Sequence, residues 1–166
     1  MDLLDDEVFA VIMALIIVGS VFAAAAQFHR SEPFDAIGLL NSDCKIGDYP
    51  DFVLTGENIT LCLYLFNHMG EPEAYMVEYK FGTPDTLPTN KTPSAAPVLE
   101  RYYFVLDDNE SLTVRETLPI PDNPTLIGEN ATLIFELWRY DPAGHEWVYT
   151  GKWVHLHVRV EGVPLP

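Results

Sequence analysis

The chain is expected to be mainly β, an antiparallel β-sandwich preceded by one N-terminal transmembrane or hydrophobic α-helix. Three observations lead there. Val8 to Ala26 reads VFAVIMALIIVGSVFAAAA, nineteen residues without a charge or a proline. From Phe34 onward the apolar residues alternate with polar ones, the period of strands rather than helices. Turn-forming clusters of Gly, Pro, Asn and Asp interrupt that alternation at short intervals.

The apolar run comes first. At 1.5 Å per residue it extends roughly 28 Å, about the thickness of a bilayer's hydrocarbon core. A cleaved signal peptide begins with basic residues. Here the run follows Asp2, Asp5, Asp6 and Glu7, so the segment reads as a retained anchor or assembly helix although Ala23 to Ala26 offer small residues for cleavage. Arg30 is the one nearby basic residue, and by the positive-inside rule it points weakly to a cytoplasmic C-terminus. The sequons and cysteines described below point the other way and outweigh it. Small residues recur four apart, at Ala10 and Ala14, Gly19 and Ala23, and Ser20 and Ala24. Such pairs let helices approach closely in a membrane, although alanine is common in any membrane helix. The chain therefore divides into a hydrophobic helix over 1–30 and an extracytoplasmic domain over 31–166, large enough to bury its own core.

Strands are expected at Phe34–Leu40, Phe52–Leu54, Ile59–Phe66, Tyr75–Phe81, Glu100–Leu106, Ser111–Leu118, Ala131–Tyr140 and Trp147–Val160, the last bent or broken near Gly151. Seven or eight short strands without a second helix indicate a sandwich. Thr83–Pro97 is rich in Pro, Thr and Ser and reads as a long, mobile surface loop. Gly56-Glu57-Asn58-Ile59-Thr60-Leu61 returns as Gly128-Glu129-Asn130-Ala131-Thr132-Leu133, which places two core strands behind similar turns.

The segments FDAIGLLN, GDYP, TGENITLCLYLFNHMGEPEAYMVEYKFGT and YTGKWVHLHVRV resemble the extracytoplasmic domain of an archaeal family described only as predicted membrane proteins of unknown function. The Gly-Glu-x, alternating apolar, Asn-x-x-Gly pattern of Gly56 to Gly70 is similar to immunoglobulin-like surface modules. The resemblance implies an immunoglobulin-like sandwich and no particular activity. This chain has a single membrane helix ahead of the domain, unlike the family's usual layout, which tells against transport. The overall plan, hydrophobic helix, β domain and sequons, also resembles archaeal type IV pilins and archaellins. The acidic residues before the helix depart from that pattern, because carboxylates gathered around a filament axis are costly to bury.

The formal net charge is −16, with only nine Lys and Arg, scattered along the chain. No nucleic-acid partner is expected, since phosphate binding needs clustered cations. Cys44 and Cys62, outside the cytoplasm, are most simply a disulfide. Two separate buried thiols are the alternative. Asn58, Asn90, Asn109 and Asn130 each open an Asn-x-Ser/Thr sequon and are expected to accept N-linked glycans, whereas Asn123 is excluded by Pro124. His155 and His157 point the same way from one strand. They suit a metal only with a third ligand such as His145, and an exposed polar face is the simpler reading. Asn67-His68-Met69-Gly70 reads as a turn. Trp138, Trp147 and Trp153 and the tyrosines read as packing, with a sugar- or partner-binding aromatic patch as the alternative. No nucleophile elbow, P-loop, HExxH or dinucleotide fingerprint occurs. The expectation is a non-enzymatic accessory or structural subunit of a cell-surface assembly, without cofactor or metal, oligomeric through its helix. A pilin-like filament subunit is the alternative.

Overall fold

Eight strands, arranged in two sheets, follow one apolar helix in the computed structural model, which describes residues 6–28 and 32–162. The chain divides into two units, Met1–Pro33 and Phe34–Pro166. The first contains α1, Asp6–Phe28. Asp2, Asp5 and Arg30, which entered the topology argument, lie outside the described residues.

The second unit contains β1 (Phe34–Leu40), β2 (Phe52–Leu54), β3 (Asn58–His68), β4 (Glu73–Gly82), β5 (Val98–Leu106), β6 (Ser111–Pro119), β7 (Asn130–Asp141) and β8 (Glu146–Glu161). One sheet has the order β1-β3-β6, the other β2-β8-β7-β4-β5. Their inner faces share one core. Leu61, Leu63 and Leu65 of β3 oppose Tyr75, Val77 and Tyr79 of β4 and Leu133, Phe135 and Leu137 of β7, all at most 1% exposed. Tyr79 stacks on Phe135 at 5.2 Å between ring centres. Burial of such side chains, about 1.5–3 kcal/mol each, is the main favourable term holding the sheets together.

One pairing departs from the antiparallel expectation. β2 runs parallel to β8, with Val53 opposite Val160. The chain leaves β1 in the three-stranded sheet, crosses over residues 41–51, and joins the five-stranded sheet travelling in its original direction. A direction maintained across a change of sheet gives a parallel neighbour.

The repeated Gly-Glu-Asn words have one local geometry. Glu57 N donates to Leu54 O at 3.2 Å, and Glu129 N to Leu126 O at 3.0 Å, each closing a four-residue turn. Glycine stands third in both turns, at φ +74° and +88°, a conformation that disfavours any side chain. The strands launched by these turns, β3 and β7, lie in opposite sheets.

Thr83–Pro97 is a strap rather than a free loop. It connects β4 to β5 and lies against the outer face of the five-stranded sheet, with Ser94 and Ala96 buried. Tyr149 Oη donates to Thr89 O at 2.8 Å, and Ser94 Oγ to Thr86 O at 2.5 Å. The strap also explains the irregularity in β8. The β7–β8 register shifts at Leu137/Trp138, and Gly151 has φ +76°, where a Cβ would collide with the Asn90 carbonyl. With the strap above and the core below, β4 and β7 are buried on both faces over most of their length.

Candidate functional site

Helix α1 is an apolar surface. Each of residues 8–26 is exposed, and by length and composition this segment suits a membrane crossing. At 100° per residue, Ala10, Ala14, Ser20 and Ala24 fall within about 120° of the helix surface, while Gly19 and Ala23 lie about 160° and about 120° from the centre of that stripe. Two small-residue faces are therefore open. Ser20 Oγ donates to Ile17 O at 2.8 Å, so its hydroxyl is satisfied within the helix.

In the β unit, Cys44 and Cys62 form a disulfide with a Cα–Cα distance of 5.2 Å. Cys62 is fully buried in β3, and Cys44 lies in a loop organised by Asn41. Asn41 Oδ1 accepts from the Asp43 and Lys45 amides, and its Nδ2 donates to Gly47 O. A cross-link closing a loop of this size contributes about 3 kcal/mol by restricting the unfolded chain. The four sequon asparagines, Asn58, Asn90, Asn109 and Asn130, are all exposed. Asn109 sits at φ +63° in the β5–β6 turn, hydrogen-bonded to His68. In the Asn130 sequon, Thr132 is fully buried and its Oγ1 lies 2.8 Å from His157 Nδ1.

The outer face of the five-stranded sheet concentrates the remaining chemistry. Under the strap, Lys80 Nζ donates to Glu136 Oε2 at 2.7 Å and to Ser94 O at 2.9 Å, and it lies 3.3 Å from Glu78. Ser94 N donates to Glu136 Oε1 at 2.5 Å, and Arg101 Nε to Glu78 Oε1 at 2.9 Å. Beyond the strap, Trp147 touches both Tyr103 and Tyr140, with ring centres 5.7 and 5.3 Å away, and Trp138 meets Tyr149 at 5.3 Å. These rings pack mainly on one another. Trp138 Nε1 is the single buried side-chain nitrogen or oxygen without a hydrogen-bond partner among the described residues. Between the sheets, buried Asp35 of β1 is held by Arg139 Nη1 of β7 at 3.2 Å and by Lys152 of β8, an ionic tie across the sandwich.

Strand pairing brings Glu78, Lys80 and Glu136 together, which sequence reasoning missed. All three occupy outward positions of strands, where alternation places solvent-facing side chains. The only sequence signal was the long loop that follows Lys80, and its docking is not a local property.

His155 and His157 share a strand face with ring centres 4.6 Å apart. His145 lies in the β7–β8 turn at φ +53°, about 30 Å along β8 from them. No group of three His, Cys, Asp or Glu side chains arranged for a metal ion occurs among the described residues. Partial burial, and secondarily the neighbouring His157, lowers the pKa of His155 from its usual 6.5. Its unfolded form therefore takes up a proton first as the pH falls. Stability from this residue is complete above about pH 6.5 and declines as pH drops through the lower folded value. The expected result is that His155→Gln flattens the loss of denaturation midpoint below pH 6.5. An unchanged pH profile in that variant would contradict it.

No protein-family model matches the chain, and no curated protein matches it. Solved structures of similar shape include the sporulation control protein Spo0M from Bacillus subtilis, at 11% identity over 76% of this chain and 49% of that one, TM-score 0.45. The alkylpurine DNA glycosylase AlkC of Pseudomonas fluorescens is 16% identical over 76% of this chain and 30% of that one, TM-score 0.46. AvmM, which catalyses macrocyclization in alchivemycin A biosynthesis, is 12% identical over 80% and 91%, TM-score 0.48. The chain thus spans half or less of the first two proteins. Likenesses this distant carry no argument about what the chain does.

Proposed function

We propose that this chain is a non-enzymatic structural or accessory subunit of a cell-envelope assembly. Helix α1 fastens it in the membrane and offers its small-residue faces to neighbouring helices, and a glycosylated immunoglobulin-like sandwich stands outside the cytoplasm. The observation that carries this reading is the wholly exposed nineteen-residue apolar segment, separated from β1 by the five residues between Phe28 and Phe34. Supporting it, a disulfide is typical of oxidising compartments. The two-sheet arrangement, with β1 and β2 divided between sheets, is compatible with an immunoglobulin-like sandwich. The archaeal assignment rests on the sequence resemblance alone.

Extraction of the native protein in mild detergent, followed by imaging and identification of co-purifying chains, tests the proposal. Discrete particles containing partner membrane chains are expected. Helical filaments would replace it with the pilin-like reading, in which the same helix lines a filament core. A detergent-free soluble monomer would contradict both.

A further inference from the structure

We propose that Lys80 and Glu136 condense into an intramolecular amide, a covalent cross-link between β4 and β7, with Glu78 moving the protons. Buried Lys–Glu pairs are common, but this one combines four features. The two side chains are 5% and 0% exposed, so the reacting groups are held away from water. Nζ stands 2.7 Å from Oε2, an approach imposed by adjacent paired strands. A second carboxylate, Glu78, lies 3.3 Å from the same nitrogen and is itself held by Arg101. Finally, Ser94 N–H donates to Oε1 at 2.5 Å, where an oxyanion would develop.

The step balances without a co-reactant. An ammonium and a carboxylate together contain one amide and one water. Glu78 accepts a proton from Nζ and passes it to Oε2, and the freed amine attacks Cδ of the now neutral Glu136 carboxyl group. The C–N bond forms and negative charge collects on Oε1 against the Ser94 amide. A second proton follows the same route. The C–Oε2 bond then breaks, and Oε2 leaves as water with two of the three ammonium protons. Held geometry of this kind replaces an improbable encounter with an intramolecular one. Condensation also removes two buried charges, whose desolvation opposes folding. Both hydrogen bonds required by the product are already present: the amide N–H keeps the Ser94 carbonyl at 2.9 Å, and the amide oxygen keeps the Ser94 N–H.

Intact mass spectrometry tests this on the full chain, produced in a bacterium without N-glycosylation and then denatured and reduced. The expected mass falls short of the composition by one water, with a proteolytic map joining the peptides that contain residues 80 and 136. Glu78→Gln is expected to regain the full mass with an unchanged circular dichroism spectrum. A wild-type chain of full compositional mass, with Lys80 open to acylation after unfolding, would overturn the bond. A missing water in Glu78→Gln would overturn the role given to Glu78.

Discussion

Replacing Lys80 with Met is expected to destabilise the β unit by about 3–5 kcal/mol, the usual consequence of leaving a buried charge without its partner. Glu136 is fully buried, and its other hydrogen-bond partner is the Ser94 amide. Glu78 retains Arg101 in the variant, so the damage concentrates on Glu136 and the strap. The Ser94 carbonyl also loses its donor. The strap should therefore loosen with the ion cluster, and limited proteolysis should cut near residues 89–92 at protease levels that spare the wild type. Changing Lys80 to Met and Glu136 to Leu together removes the stranded charge and is expected to recover only part of the lost stability, because the link between β4 and β7 and both Ser94 hydrogen bonds stay broken. If the single variant unfolds within 1 kcal/mol of wild type, as judged by urea denaturation, the cluster does not hold the strap as described.

Asn67→Ala is expected to cost about 3 kcal/mol or more. Asn67 is fully buried at the end of β3, and its side chain makes five hydrogen bonds. Its two Nδ2 hydrogens are shared among the carbonyls of Glu71, Leu106 and Asp107, at 2.9, 3.0 and 3.2 Å. Its Oδ1 accepts from Met69 N at 3.0 Å and from the buried Tyr75 hydroxyl at 3.1 Å. One amide thus closes the β3–β4 turn and ties it to the β5–β6 turn. Removal leaves several polar groups without partners, and a buried group so abandoned costs about 1–3 kcal/mol. Asn90→Ala, at an exposed strap position, is the control and should change stability by less than about 0.5 kcal/mol. Equal denaturation midpoints for the two variants would show that the Asn67 hydrogen bonds contribute little.

Asn67 also illustrates what was legible in the sequence. The Asn-His-Met-Gly word reads as a turn; its second half lies in one, whereas Asn67 and His68 finish β3. The engagement of the same side chain with Leu106 and Asp107, some forty residues away, has no local signature. Strand positions follow the same division. β1 and β2 lie where alternation places them, and the other strands extend the expected segments by one to three residues. Alternation assigns Val154, Leu156, Val158 and Val160 to the inner face of β8, toward the core. It fails for Glu78, Lys80 and Glu136, which face outward yet are buried, because alternation describes two faces and cannot register a third layer laid over one of them. The Pro, Thr and Ser content that suggests a mobile loop instead supplies short side chains and fixed backbone angles for a close-fitting strap. The parallel β2–β8 pairing is similarly invisible, since two three-residue partners more than a hundred positions apart leave no pattern.

The proposed function requires α1 to stay in the mature molecule, embedded in a membrane or packed within an assembly there. Alkaline carbonate washing of native membranes, followed by intact mass analysis of the retained protein, tests it most directly. The protein is expected to remain in the pellet with residues 1–33 still attached. Recovery in the supernatant, or a pelleted chain that has lost those residues, would contradict it.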